Sequence, residues 1–247
     1  MRSRAVHGTN EADRRKLVVS EVFGPTFQGE GPSIGRLAWF VRLGGCNLSC
    51  VWCDTPYTWD WTGKNGHVFD PRHQLTHLSI DQVSGLLPLA SPALMVITGG
   101  EPLLQQSALV PFLGELAAAK WDVEIETAGT IAPLDRVTQL VTAYNVSPKL
   151  SNSRNRLDHR YKPDAIDRLQ ASGKARWKFV VQSCDDLQEI EDLAIRHDLR
   201  PVYIMPEGTA APEILLKTRE ISEAVLSRGW NITSRLHVLV YGNERGI

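Results

Sequence analysis

Short runs of apolar and β-branched residues recur along the chain, each followed by a polar or glycine-rich stretch. Leu17–Phe23, Ala38–Leu43, Leu94–Thr98, Val123–Glu126, Tyr144–Val146, Lys178–Val181, Val202–Ile204 and Leu236–Val240 read as strands. Between several of them the period changes to that of a helix. Asp185–His197 sets Leu187, Ile190 and Ala194 on one face. Pro212–Arg228 does the same with Ile214, Ile221 and Val225, with proline near its start and Gly229 just past its end. Leu103–Lys120 and Asp164–Ala171 are further helices by the same pattern. Strand, helix and strand in alternation predict an α/β fold with a parallel sheet and right-handed crossovers. The sheet is either open and doubly wound or closed into a full or partial barrel. In both cases the loops at the carboxyl ends of the strands make the ligand face. Five of those ends carry small, polar or turn residues: Thr98-Gly99-Gly100-Glu101-Pro102, Glu126-Thr127-Ala128-Gly129, Ser147-Pro148-Lys149, Gln182-Ser183-Cys184-Asp185 and Met205-Pro206-Glu207-Gly208.

Composition narrows the class. The 247 residues carry 27 basic and 28 acidic side chains, and 43% are hydrophobic. A near-zero net charge excludes the broad electrostatic footprint of a general nucleic-acid binder. No apolar run approaches the ~18 residues that a bilayer-spanning helix needs, so no membrane span is expected. Residues 1–16 are polar and basic and lack a secretory core, which predicts a disordered tail and a cytoplasmic protein. Residues 17–247 are read as one domain. Within it, 54–77 form an irregular insertion with Trp59, Trp61 and three histidines.

The chemistry concentrates in the cysteines. Cys46, Cys50 and Cys53 fall in a Cys-x-x-x-Cys-x-x-Cys run directly after a predicted strand and Gly44-Gly45, while Cys184 lies far away. Zinc usually takes four ligands, so His67 or His73 would have to complete a zinc site. A ferredoxin cluster also takes four cysteines. Three thiolates on a tight loop would leave one iron of a cubane open to an exogenous molecule. Three buried free thiols are the remaining alternative.

Cys46-x-x-x-Cys50-x-x-Cys53 with Trp52 before the last cysteine, followed by Thr98-Gly99-Gly100-Glu101-Pro102, resembles the signature of the radical S-adenosylmethionine superfamily. Further motifs resemble the 7-carboxy-7-deazaguanine synthase family within it. These are Thr26-Phe27-Gln28-Gly29-Glu30-Gly31, Gly35-Arg36, Phe40-Val41-Arg42-Leu43-Gly44-Gly45, Cys53-Asp54-Thr55, Glu126-Thr127, Ser147-Pro148-Lys149 and Gln182-x-x-Asp185. The likeness covers roughly residues 18–240.

The resemblance implies a partial TIM-type barrel with a [4Fe–4S] cluster held by Cys46, Cys50 and Cys53. It implies S-adenosylmethionine on the open iron. Trp52, Cys53, Asp54, Gly100, Glu101, Glu126, Ser147, Pro148, Lys149, Gln182, Ser183, Cys184 and Asp185 are its expected surroundings. Asp185 is also a natural N-cap for the helical pattern that it opens. The implied substrate is 6-carboxy-5,6,7,8-tetrahydropterin, held by Phe27, Gln28, Gly29, Arg42 and Thr98. The implied products are 7-carboxy-7-deazaguanine, a 7-deazapurine on the way to queuosine, and ammonia. Magnesium is implied at Thr55, with Asp54 assisting, and no protein side chain is expected to carry the chemistry itself. A reducing partner such as flavodoxin or ferredoxin and a homodimer come with the family. No substrate contact is carried over to the carboxyl end of the chain. Two rivals remain at this point: an activase that puts a glycyl radical on a protein, and a non-catalytic iron–sulfur or zinc module.

Overall fold

Every second residue of a strand faces the same way, and here the two faces do different work. The computed structural model describes residues 16–88 and 93–246. Among them, nine strands form one sheet: β1 Lys16–Phe27, β2 Leu37–Leu43, β3 Thr76–Ser79, β4 Leu94–Gly99, β5 Asp122–Thr127, β6 Ala143–Val146, β7 Ala175–Val181, β8 Val202–Pro206 and β9 Asn231–Ile232. Their order across the sheet is β3-β1-β2-β4-β5-β6-β7-β8-β9. β1 is antiparallel to both β2 and β3, and all pairings from β2 through β9 are parallel. The two edge strands do not pair with each other, so this is an open, mostly parallel α/β sheet of the partial-barrel kind.

One set of strand positions makes the main core. Val41, Leu43, Met95, Ile97, Val123, Ile125, Tyr144, Val146, Trp177 and Phe179 are all buried in it. Helix Gln106–Ala118 adds Leu109, Phe112, Leu113 and Leu116, a stripe at helical spacing. The alternate positions point to the other face. There Ala38, Phe40, Leu94 and Val96 form a small separate cluster with Phe23. Farther along the same strands that face turns polar, with Arg42, Thr98, Glu126, Asn145 and Lys178. β2 and β4 therefore read as continuous apolar runs because both of their faces are covered.

Two glycines bring the loops together. A Cβ on Gly99, whose φ is +140°, would lie 2.1 Å from the Leu43 carbonyl oxygen, and one on Gly100 would lie 2.0 Å from that of Gly45. This closeness lets Gly100 N donate to Leu43 O (3.1 Å) and Glu101 N to Gly45 O (2.8 Å). Gly100→Ala must push backbone against backbone. It is expected to cost about 3 kcal/mol, the upper end for overpacking, and to lower Tm by roughly 6–12 °C in calorimetry for a chain of this size.

Several expectations need correction. Leu236–Val240, read as a strand, is the helix Leu236–Tyr241. β9 has only two residues, and the chain then turns back when Leu236 N donates to Gly29 O (2.8 Å) and Arg235 is pinned below. Tertiary context thus overrides the β-branched composition. β3 and β9 were not foreseen, and β3 draws the end of the 54–77 segment into the sheet. That segment also holds a short turn at Pro56–Thr58 and a helix at Pro71–Gln74. Lys16, assigned to the tail, is the first residue of β1, and residues 1–15 lie outside the described residues. No helix among the described residues is long and apolar enough to cross a membrane.

Candidate active site

The cysteine loop leaves the end of β2 and is tied on several sides. Gly45 N donates to Thr58 O (2.7 Å), Val51 N to Ser153 O (3.2 Å) and Ser49 N to Asn155 Oδ1 (2.9 Å). Leu48 and Cys50 are buried beside Ala128, with Cys46, Trp52 and Cys53 packed against them. Burial pushes the Cys46 thiol up to about 12 and raises the Cys50 and Cys53 thiols as well. A bound metal reverses this, because coordination displaces the proton.

The sulfurs suit thiolate ligands. Leu48 N donates to Cys46 Sγ (3.4 Å), Asn155 Nδ2 to Cys50 Sγ (3.2 Å) and Trp59 Nε1 to Cys53 Sγ (3.3 Å). Among the described residues, no three histidine, cysteine or carboxylate side chains are placed to hold a single metal ion. Three cavity-lining sulfurs, each accepting an N–H bond, fit the chemistry of a cluster that takes one thiolate on each of three irons.

All three cysteines line a cavity of about 220 Å³ on the inner face of the sheet. Phe27, Gln28, Gly29, Arg42, Trp52, Asp54, Thr55, Thr98, Gly100, Glu126, Ser147 and Lys149 line it too. Arg42 Nε donates to Glu21 Oε2 (2.8 Å), and its guanidinium lies 5.5 Å from the centre of the Phe23 ring. Tyr57 and Arg245 bind the same Glu21 carboxylate. Gln28, almost fully buried, donates to Glu126 Oε1 (3.2 Å), and Thr98 Oγ1 donates to Glu126 Oε2 (2.8 Å). Lys149 Nζ donates to the carbonyl and hydroxyl oxygens of Ser147 (2.8 and 2.9 Å) and lies 5.7 Å from the Trp52 ring centre.

Other expected site residues lie outside the cavity wall. Glu101 is fully buried and its carboxylate is occupied: it accepts from Leu103 N, Ala128 N and the Thr127 hydroxyl (2.8–3.0 Å). It fixes the end of β5 against the end of β4. Pro148 faces a second cavity, beyond Lys149. Gln182, Ser183, Cys184 and Asp185 form an exposed turn that does not line the main cavity. Asp185 is not the cap of the following helix. Ser183 accepts from Asp185 N, and Asp186 Oδ2 accepts from Gln182 N (2.7 Å) and Ser183 N (3.4 Å), so the capping box uses Ser183 and Asp186. Asn152 donates to that same Asp186 carboxylate (2.9 Å) and accepts from Trp52 Nε1 (3.2 Å), linking the turn to the cysteine loop.

The carboxyl end contributes what the sequence left unassigned. Arg235 donates to Glu30 Oε1 (3.2 Å), to Gly208 O (2.5 Å) and to Asp54, and Lys178 pairs with Glu30. Burial alone would raise the Glu30 carboxyl, but the Lys178 and Arg235 cations hold it well below the carboxylate range. His237 lines the cavity and sits where a Gly29 Cβ would fall, 1.9 Å from His237 Nδ1. Burial lowers its pKa, which favours the neutral ring. The helix misread as a strand hid His237, and only tertiary structure joins Glu30, Lys178 and Arg235.

These groups give an acid-sensitive fold. An unfolded glutamate takes its proton near ~4.3, whereas folded Glu30 resists it. Its contribution is fully present above that range and is lost as pH falls toward the folded value. Glu30→Gln is expected to cost about 3–5 kcal/mol at pH 7, because buried Lys178 loses its ion-pair partner and Arg235 loses one of its two. It should also flatten the decline between pH 5 and 3. Urea unfolding at each pH measures both effects.

Residues 27–156 match the family model described as a 4Fe-4S single cluster domain, which places the cysteine loop in the class of proteins that hold one such cluster. The 7-carboxy-7-deazaguanine synthase of Pyrobaculum aerophilum is 34% identical over 234 residues, covering 94% of this chain and 97% of the relative. That of Hyperthermus butylicus is 34% identical over 245 residues, covering 96% and 98%. The crystal structure of QueE from Escherichia coli aligns with TM-score 0.66 at 25% identity, over 90% of this chain and 95% of that one. The chain belongs to the 7-carboxy-7-deazaguanine synthase family.

Proposed function

We propose that this chain is the lyase that converts 6-carboxy-5,6,7,8-tetrahydropterin into 7-carboxy-7-deazaguanine and ammonia, in 7-deazapurine and queuosine biosynthesis. One observation carries the reading. A single cavity joins the cysteine loop to Gln28, Glu126, Thr98 and the anchored Arg42, the donors and acceptors that a carboxylated pterin needs. Neither a glycyl-radical activase nor an electron carrier has use for that set.

The cluster and S-adenosylmethionine supply one-electron cleavage and radical hydrogen abstraction when bound. The chain's own residues bind and orient. Arg42 takes the substrate carboxylate, with Glu21 fixing the plane of its guanidinium. Gln28 presents its amide to the ring edge, and Glu126 holds both Gln28 and Thr98 in register. Gly100 lets S-adenosylmethionine approach the backbone, and Ser147 with Lys149 closes that end of the cavity. Phe23, Phe40 and Trp59 line the wall and exclude water. The turn at Gln182–Asp185 acts on the adenosine end through Asp186 and Asn152.

Thr55 offers one neutral hydroxyl to the cavity, and Asp54 is engaged by Arg235. Such a sparse oxygen set suits a magnesium ion that keeps its waters and takes substrate oxygens. The reading also includes a cytoplasmic homodimer reduced by a flavodoxin or ferredoxin. The test is anaerobic incubation of reconstituted protein with dithionite, S-adenosylmethionine and the carboxytetrahydropterin. Substrate-dependent 7-carboxy-7-deazaguanine supports the assignment. S-adenosylmethionine cleavage without that product refutes it.

A further inference from the structure

Two side-chain N–H groups are aimed at the sulfurs of the cysteine loop, and both come from outside it. Trp59 Nε1 lies 3.3 Å from Cys53 Sγ, and Asn155 Nδ2 lies 3.2 Å from Cys50 Sγ. We propose that Trp59 and Asn155 are positioning residues that raise the reduction potential of the cluster by donating hydrogen bonds to its cysteine sulfurs. The inference rests on the cluster assignment above and adds to it what the 54–77 segment is for.

The donors are unambiguous. An indole N–H can only donate. The Asn155 amide is oriented by Ser49 N, which donates to its Oδ1 (2.9 Å), so the NH₂ end faces Cys50 and the Ser153 hydroxyl. Both donors are held in place by the structure around them. Arg154, just before Asn155, has φ +56°, a left-handed conformation uncommon outside glycine. Trp59 follows the turn Pro56–Thr58 and precedes Asp60. Asp60 is fully buried and accepts backbone N–H bonds from Thr62, Gly63, Lys64 and Asn65 (2.8–3.3 Å). Asn65 in turn donates to Cys50 O (3.1 Å). The insertion is thus a folded bracket that closes on the cysteine loop and delivers one indole N–H.

The sign follows from charge. One electron enters from an external low-potential donor; no bond breaks, and the donor protons stay on nitrogen. The sulfurs carry more negative charge after that electron arrives, so an N–H donor stabilises the reduced form more than the oxidised one. Cys50 is buried beside Leu48 and Ala128, and Cys53 packs against them, so such a bond counts for more than in water. Cys46 has only the longer Leu48 backbone contact, so the tuning falls on the other two sulfurs.

The experiment uses the anaerobic holoenzyme. Trp59→Phe keeps the ring and removes the donor; Asn155→Ala removes the other. At a fixed ambient potential each variant is expected to show an about tenfold lower ratio of reduced to oxidised cluster, a downward shift of about 59 mV for one electron. In wild-type protein exchanged into D₂O, pulsed EPR of the reduced cluster should show exchangeable deuterons beside it, fewer after Trp59→Phe. Variants with full iron content and unchanged potentials overturn the proposal. So does wild-type protein without such deuterons, a result that needs no variant to fold. Wild-type protein that takes up zinc and no cluster would instead overturn the cluster assignment itself.

Discussion

Alanine at Cys46, Cys50 or Cys53 is expected to remove iron and turnover together, while Cys184→Ala changes neither. Each of the three thiols lines the cavity and accepts a hydrogen bond, Cys46 from Leu48 N within the loop and Cys50 and Cys53 from Asn155 and Trp59 outside it. Cys184 lies in an exposed turn, with its sulfur 3.7 Å from Glu220 O. A cluster with three protein ligands has no spare one. Loss of one thiolate must therefore exceed the 10–100-fold penalty of losing an outer-shell partner. Iron per chain after anaerobic reconstitution, measured beside turnover, checks this. The fold should survive, since the loop is also tied by the Thr58, Ser153 and Asn155 contacts.

Arg42→Ala is the second large effect. The guanidinium is only 17% exposed and is held by Glu21. Burial disfavours its charge, and Tyr57, Glu21 and Asp54 overcome that, so its pKa is raised and it stays a cation. Removing a buried, paired charge from a binding site costs about 2–5 kcal/mol. A fall in kcat/KM for the pterin of roughly 30- to 5,000-fold follows. Arg42→Lys should recover little, because a point charge does not reproduce a planar fork. Iron content and cleavage of S-adenosylmethionine in the absence of the pterin should stay at wild-type levels. Steady-state kinetics with the pterin varied separates this outcome from a general loss of structure.

What could be read from the sequence was what local chemistry enforces. The apolar runs of β2 and β4 were legible because both faces of those strands are covered, one by the main core and the other by the small apolar cluster below the cavity. The Cys-x-x-x-Cys-x-x-Cys spacing and the Gly99-Gly100 pair were legible because chemistry and backbone contact demand those residues. The floor of the site was not. Glu30 meets Lys178 and Arg235 across 148 and 205 positions of sequence, and Arg235 meets Asp54 across 181. Nothing in the neighbourhood of any one of them announces the others. The sulfur donors Trp59 and Asn155 are equally remote in kind: one sits in a segment without period, the other in a turn. Leu236–Val240 failed for a different reason. Its β-branched residues favour a strand, but contacts at Gly29 and Glu30 bend the chain into a helix over the cavity. Asp185 was passed over for Asp186 because the cap depends on which carboxylate reaches back to Gln182, a one-residue choice that propensity does not resolve.

The account stands most directly on one spectrum. Protein reconstituted without oxygen and reduced with dithionite should give the EPR signal of a [4Fe–4S]⁺ cluster, and S-adenosylmethionine should change its shape by binding the iron that no cysteine claims. A signal indifferent to S-adenosylmethionine, or protein that retains zinc and no iron, would contradict it.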